Sequence, residues 1–240
     1  MMDFEWSYDE PGRMINGIRL VREAEPGPKE NGLWAHYACT ICVESRYRIK
    51  MAQDQPPKIV PKLSVQYIVD AVRMGGEVWD VLDWMSFGGL TLESIYPTKG
   101  RRQDFHHYLE GWPRFTIQRH LRLEPQNDAE NVNEQLLKHL ESDGPFVSGF
   151  RISANYFSID HETDVYVNDK NHNPDIEDTA SGSTNLEVGD KIFVTVIGEG
   201  WKNKISYWVY RNNMGVAWGR HGKGMVDKRV VEDAYVPILA

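Results

Sequence analysis

Asn31-Gly32-Leu33-Trp34-Ala35-His36-Tyr37-Ala38-Cys39-Thr40-Ile41-Cys42-Val43-Glu44-Ser45-Arg46-Tyr47-Arg48-Ile49 is the stretch that decides the fold. Asn31 and Gly32 precede the first large apolar residue, a helix-start signal. Trp34, Tyr37, Ala38, Ile41, Cys42, Ser45 and Ile49 then recur at helical spacing, and Ala35, Cys39 and Val43 fill the flank. A helix apolar over most of its girth belongs inside a domain with other elements packed around it. Arg46, Arg48 and Lys50 in the last turns suit the negative end of the helix dipole. The spacing predicts a central, buried helix.

The chain has 240 residues, 41% hydrophobic and 11% aromatic, enough for one large domain or two lobes sharing an interface. A net charge of −8 argues against generic nucleic-acid or anionic-membrane binding. No apolar run approaches membrane-spanning length, and Met1-Met2-Asp3-Phe4-Glu5-Trp6 lacks the charged start and apolar segment of a signal peptide. The two cysteines, Cys39 and Cys42, both lie in the central helix. Unpaired thiols without a signal fit a reducing compartment, cytoplasmic or nuclear.

The first thirty residues, with Pro11-Gly12, Asn16-Gly17 and Pro26-Gly27-Pro28, read as extended chain and turns. Ser64 is the expected N-cap of a short helix ending near Asp70. Glu77 to Met85 reads as a helix on Val78, Val81, Leu82 and Met85, and Asn131 to Leu140 as another on Val132, Leu136, Leu137 and Leu140. From about Phe115 the texture shifts to short β-prone runs. Phe146–Phe150 and Ile192–Gly198 are the expected strands, and 168–187 reads as a polar surface loop.

Several segments together resemble the papain-like cysteine peptidases. The Trp-Ala start with Glu44-Ser45 and Tyr47-Arg48-Ile49 resembles the family's central helix, and Leu63 to Asp70 its Leu-Ser-Glu-Gln-Glu-Leu-Val-Asp element. Gly75-Gly76 matches the Gly-Gly of its substrate cleft. Gly88-Gly89-Leu90-Thr91-Leu92-Glu93-Ser94-Ile95-Tyr96-Pro97 resembles its Gly-Gly-Leu-Thr-Thr-Glu-Ala-Asn-Tyr-Pro loop. Tyr207-Trp208-Val209-Tyr210-Arg211-Asn212-Asn213-Met214-Gly215, then Trp218-Gly219, resembles Tyr-Trp-Leu-Val-Lys-Asn-Ser-Trp-Gly and Trp-Gly. The likeness covers most of the chain in order, and its closest flavour is that of plant members.

The resemblance implies an α+β fold of two lobes across residues 1–240. A helical lobe with the central buried helix would span about 1–112 plus a C-terminal return, and a β-barrel-like lobe about 113–215. It also implies where the chemistry should lie. A cysteine peptidase needs a thiolate, an imidazole and an oxyanion donor. The nucleophile position falls on Leu33 or Trp34, depending on whether Trp34 or Glu44 anchors the register. The histidine position falls on Ile192 or, one residue off, on Lys191 or Phe193. The oxyanion Gln falls on Gly27 or Pro28, and a donor of that kind is typically worth about two to four kcal/mol of transition-state stabilisation. Asn212 alone matches its catalytic counterpart, and Met214 replaces the Trp that shields it.

Other constellations carry plainer readings. Cys39-Thr40-Ile41-Cys42 lies inside an apolar helix, so its thiols read as small core residues rather than a redox pair. Zinc would need two further ligands. His106-His107 read as loop residues and His36 as an interior or cleft-rim histidine. Asp160, Glu162, Asp164, Asp169, Asp175, Glu177 and Asp178 lack the spacing of a calcium loop. The expectation is a peptidase homologue without activity, cofactor or metal, binding a peptide or protein at Gly75, Gly76 and Trp34, with no nucleic acid or membrane as partner. Two rivals stand beside it: a hydrolase with a rearranged site using Cys39 or Cys42, and a diverging gene copy without selected role.

Overall fold

The structure, a computed structural model, describes residues 2–10, 13–25, 33–72, 77–99, 101–105, 111–125, 127–168 and 186–239. The central helix α1 is Trp34–Ala52, and fourteen of its residues from Ala35 to Ala52 are buried. Its N-cap is Leu33, with no side-chain hydrogen bond and no acidic residue in the first turn. Asn31 and Gly32 lie outside the described residues. At the other end only Lys50 stands in the last turn; Arg46 is buried instead, with its guanidinium on backbone carbonyls, and Arg48 meets Glu44. Burial follows the apolar periodicity, whereas the elements packed around the helix set the destinations of these arginines.

Two short helices pack on α1. In α2 (Val65–Ala71) Ser64 caps as expected, its side chain accepting from the Tyr67 N–H. In α3 (Val78–Phe87) Glu77 and Asp80 form a reciprocal capping box. Leu33, Ala35, Cys39, Ile68, Val81, Leu82 and Met85 share one core with α1.

The strands are β1 (Phe4–Ser7), β2 (Ile117–Leu123), β3 (Phe146–Arg151), β4 (Val165–Tyr166), β5 (Lys191–Lys202), β6 (Ile205–Arg211), β7 (Lys223–Asp227) and β8 (Asp233–Leu239). They form one sheet in the order β2-β8-β3-β5-β6-β7-β4, with β1 pairing β5 beyond the reach of β3. All pairs are antiparallel except β4 with β7. Helix α4 (Ala129–Asp143), longer at both ends than its apolar stripe, buries Leu136 and Leu140 in a second core with Phe146, Phe150, Ile192, Val194 and Trp208. The N-terminal strand was not expected. Its fit explains a glycine: a Cβ on Gly198 would lie 2.1 Å from the Trp6 carbonyl oxygen.

Strand β5 is the hinge of the design because its two faces serve the two cores. Ile192, Val194 and Val196 point into the second core, whereas Phe193 packs on the first and the Thr195 hydroxyl donates to the Ala38 carbonyl at 2.9 Å. Farther along α1, the Cys42 thiol and Arg46 Nε meet the carbonyl of Pro145, which leads into β3. Helix α1 thus runs along β5 with its first turn toward the Lys191 end.

Candidate active-site region

The start of α1 and the start of β5 define the region. Leu33, 2% exposed, belongs to the core that α1, α2 and α3 share with Val147, Phe193 and Tyr235 of the sheet. Trp34, half-buried, packs instead against the β-sheet core that contains Ile192 and Trp208. The two residues at this helix start thus enter different cores. The thiols are elsewhere. Cys39 and Cys42 are both 0% exposed and lie more than a turn inside α1. Burial pushes the Cys39 thiol well above its ordinary range; burial pushes Cys42 up to about 12, although Arg46 beside it acts the other way.

On β5, Ile192 is fully buried on the face opposite Phe193, in the core that Trp34 joins. Lys191 is on the α1 face, but its ammonium is drawn sideways over β3 to β8. It contacts the Asp233 carboxylate and lies 3.2 Å from Glu232. Arg122 reaches Asp233 at 3.0 Å and Arg151 lies 3.5 Å from Glu232. Burial disfavours the Asp233 charge, yet hydrogen bonds from Lys191 and Arg122 hold its carboxyl below the usual range.

Gly149 makes this crossing possible. It pairs with Phe193 on one side and Asp233 on the other, and a Cβ there would sit 2.7 Å from the Phe193 ring and 3.0 Å from Lys191 Cε. A glycine inside a strand often marks such a close approach, and that signal was available in Phe146–Phe150. Gly149→Val is expected to expel Lys191 from Asp233 and destabilise by about 1–3 kcal/mol through overpacking. Urea unfolding of the variant checks this, and an unchanged midpoint would refute the packing described.

Asn212 directly follows β6 and is 1% exposed. Its backbone N–H donates to Gly222 at 2.9 Å, and its side-chain oxygen accepts from the Asn213 N–H at 2.8 Å. That is the bonding of a residue holding its loop. His36 is fully buried, and burial lowers its pKa to about 4, so it is neutral at pH 7. The ring of His161 lies 4.5 Å from that of Trp218, with Nε2 2.7 Å from the Tyr156 carbonyl oxygen. Gly27, Pro28, Gly75, Gly76, His106 and His107 lie outside the described residues, as does the acidic stretch from Asp169 on. Among the described residues no group of three His, Cys, Asp or Glu could hold a metal ion, and no helix is long and apolar enough to cross a membrane.

Comparison with known proteins agrees with this architecture. No curated protein matches the chain. Among solved structures, bromelain from Ananas comosus in complex with the E64 inhibitor superposes with a TM-score of 0.69 at 21% identity, covering 98% of this chain and 99% of that one. Digestive procathepsin L2 from Tenebrio molitor larval midgut gives 0.69 at 20% identity, covering 98% and 68%. At these identities the likeness establishes the fold, an α+β papain-like arrangement of helices and a large mixed sheet. The sequence profile described as papain family cysteine protease matches residues 32–232, the greater part of the chain. The chain belongs to the papain family of cysteine proteases.

Proposed function

We propose that this member of the family is catalytically inactive and binds a peptide or protein segment, without turnover, in the cleft beside the start of α1. The observation that carries the reading is the chemistry at that helix start. By the resemblance Leu33 or Trp34 stands where the nucleophile is required, and neither side chain can attack a carbonyl; the chain's two thiols are sealed inside α1 in their neutral form. Acyl transfer through cysteine needs an accessible thiolate beside an imidazole. Lys191 or Ile192 takes the histidine position, one tied to Asp233 and the other in the core. Asn212 is the remnant, and Gly27 or Pro28 stands where the oxyanion donor belongs. The free, buried cysteines support a reducing compartment, cytoplasm or nucleus. Aromatic side chains are frequent anchors for partners, and Gly75-Gly76 suits a closely approaching backbone.

The test uses reduced, alkylated casein as the probe. The purified chain is expected to retain it and leave it uncut, and Gly76→Glu is expected to weaken retention about tenfold, or 1.4 kcal/mol, without changing the unfolding temperature. Cleavage of the casein would overturn the inactive reading. Absence of retention, or retention indifferent to Gly76→Glu, would overturn the binding reading.

A further inference from the structure

Strand β2 closes the sheet on one side and, among the described residues, pairs only with β8. The register shifts between Ile117 and Arg119, so the regular part of the edge is Arg119–Leu123. Helix α3 meets it from one face, through His120 beside Asp83 and Arg122 over the Trp79 ring at 5.5 Å. Among the described residues, the backbone groups of Arg119–Leu123 bond to β8 and to nothing else. A sheet edge of this kind presents unpaired N–H and C=O groups ready to accept another strand.

The side chains of this edge have one sign. From Trp112 to Leu123 the sequence holds Arg114, Arg119, His120 and Arg122 and no carboxylate, on a chain whose net charge is −8. Gln118 and Arg119 are exposed, and Arg119 makes no ion pair among the described residues. Arg122 is shared between Asp233 and Glu124 with nearly half its side chain in solvent. A second copy of β2 would bring further arginines and no carboxylate, so it offers this edge no complementary charge. The acidic balance of the whole chain repels a nucleic-acid backbone. What remains complementary is a strand carrying carboxylates.

We propose that the Arg119–Leu123 edge is a docking site for an acidic, extended segment of a partner protein, added to the sheet as a strand beside β2. The main-chain bonds would give affinity and the arginines the choice of partner. The site is independent of the cleft and stands or falls without it.

The probe is a blocked peptide alternating Glu with Val and Thr, with its Lys counterpart as control, added to the full chain while backbone hydrogen exchange is followed. The acidic peptide is expected to slow exchange of the Arg119–Leu123 amides about tenfold or more at saturation. The Lys peptide should leave them unchanged, and Arg119→Glu should weaken the acidic peptide about tenfold at an unchanged unfolding temperature. The proposal is overturned if these amides stay unprotected, if the Lys peptide protects them equally, or if Arg119→Glu binds as wild type. Protection of the same amides by a single-stranded oligonucleotide would equally overturn it, in favour of phosphate recognition.

Discussion

Arg46→Ala is expected to cost about 3–5 kcal/mol, a large share of the stability of an ordinary domain. Arg46 is 2% exposed, and its guanidinium serves three backbone carbonyls at once. Nε donates to the Pro145 carbonyl at 2.5 Å, Nη2 to Gly144 at 3.0 Å and Nη1 to Pro237 at 2.6 Å. These bonds fasten α1 to the turn before β3 and to β8. Truncation leaves three carbonyls without that donor and a cavity the size of the side chain. Arg46→Lys should recover only part of the loss, since an ammonium cannot reproduce the planar fork. Urea unfolding of both variants provides the check; a loss for Arg46→Ala below about 1 kcal/mol, the net worth of one ordinary hydrogen bond, would contradict this assignment.

Glu44→Ala is expected to have an effect of similar size, about 3–5 kcal/mol, for a different reason. Glu44 is fully buried, with Oε2 accepting from the Leu63 N–H at 2.8 Å and from Arg22 Nη1 at 3.2 Å, and Oε1 2.8 Å from Arg48. Removing the carboxylate leaves Arg22, 6% exposed, as an uncompensated charge. The double variant Arg22→Met with Glu44→Ala should therefore be more stable than Glu44→Ala alone. Thermal unfolding of the two decides it: if the double variant is the weaker, the cost comes from lost packing rather than a stranded charge.

What could be read in advance follows from these contacts. The identity of α1 as the central helix was legible because its apolar residues run continuously around the girth, and Ser64 was legible because capping is a local event. Strand β1 was not. Phe4-Glu5-Trp6-Ser7 has no period that separates it from a loop, and what holds it is β5, about two hundred residues away. Arg46 and Arg48 looked alike at the end of a helix, yet one is a buried tie and the other an ion-pair partner of Glu44. Spacing places a long side chain on a helix face; it does not say what the neighbouring elements offer it. The same holds for Lys191, whose link to Asp233 depends on the bare surface of Gly149 between two strands. Trp34 or Leu33, Lys191 or Ile192 could be named from motifs alone, but which of the two cores each packs on required the alternation of β5 and the assembled sheet.

The most direct measurement of the central claim is intact-mass analysis of the native chain after exposure to a thiol-directed peptidyl epoxide, with a denatured sample in parallel. Two buried thiols held in their neutral form should leave the native mass unchanged at pH 7, while a small thiol reagent labels both Cys39 and Cys42 once urea unfolds the chain. A single epoxide adduct on the folded protein, mapped to Cys39 or Cys42 and abolished by denaturation, would mean that a reactive thiolate exists, and the inactive reading would be wrong.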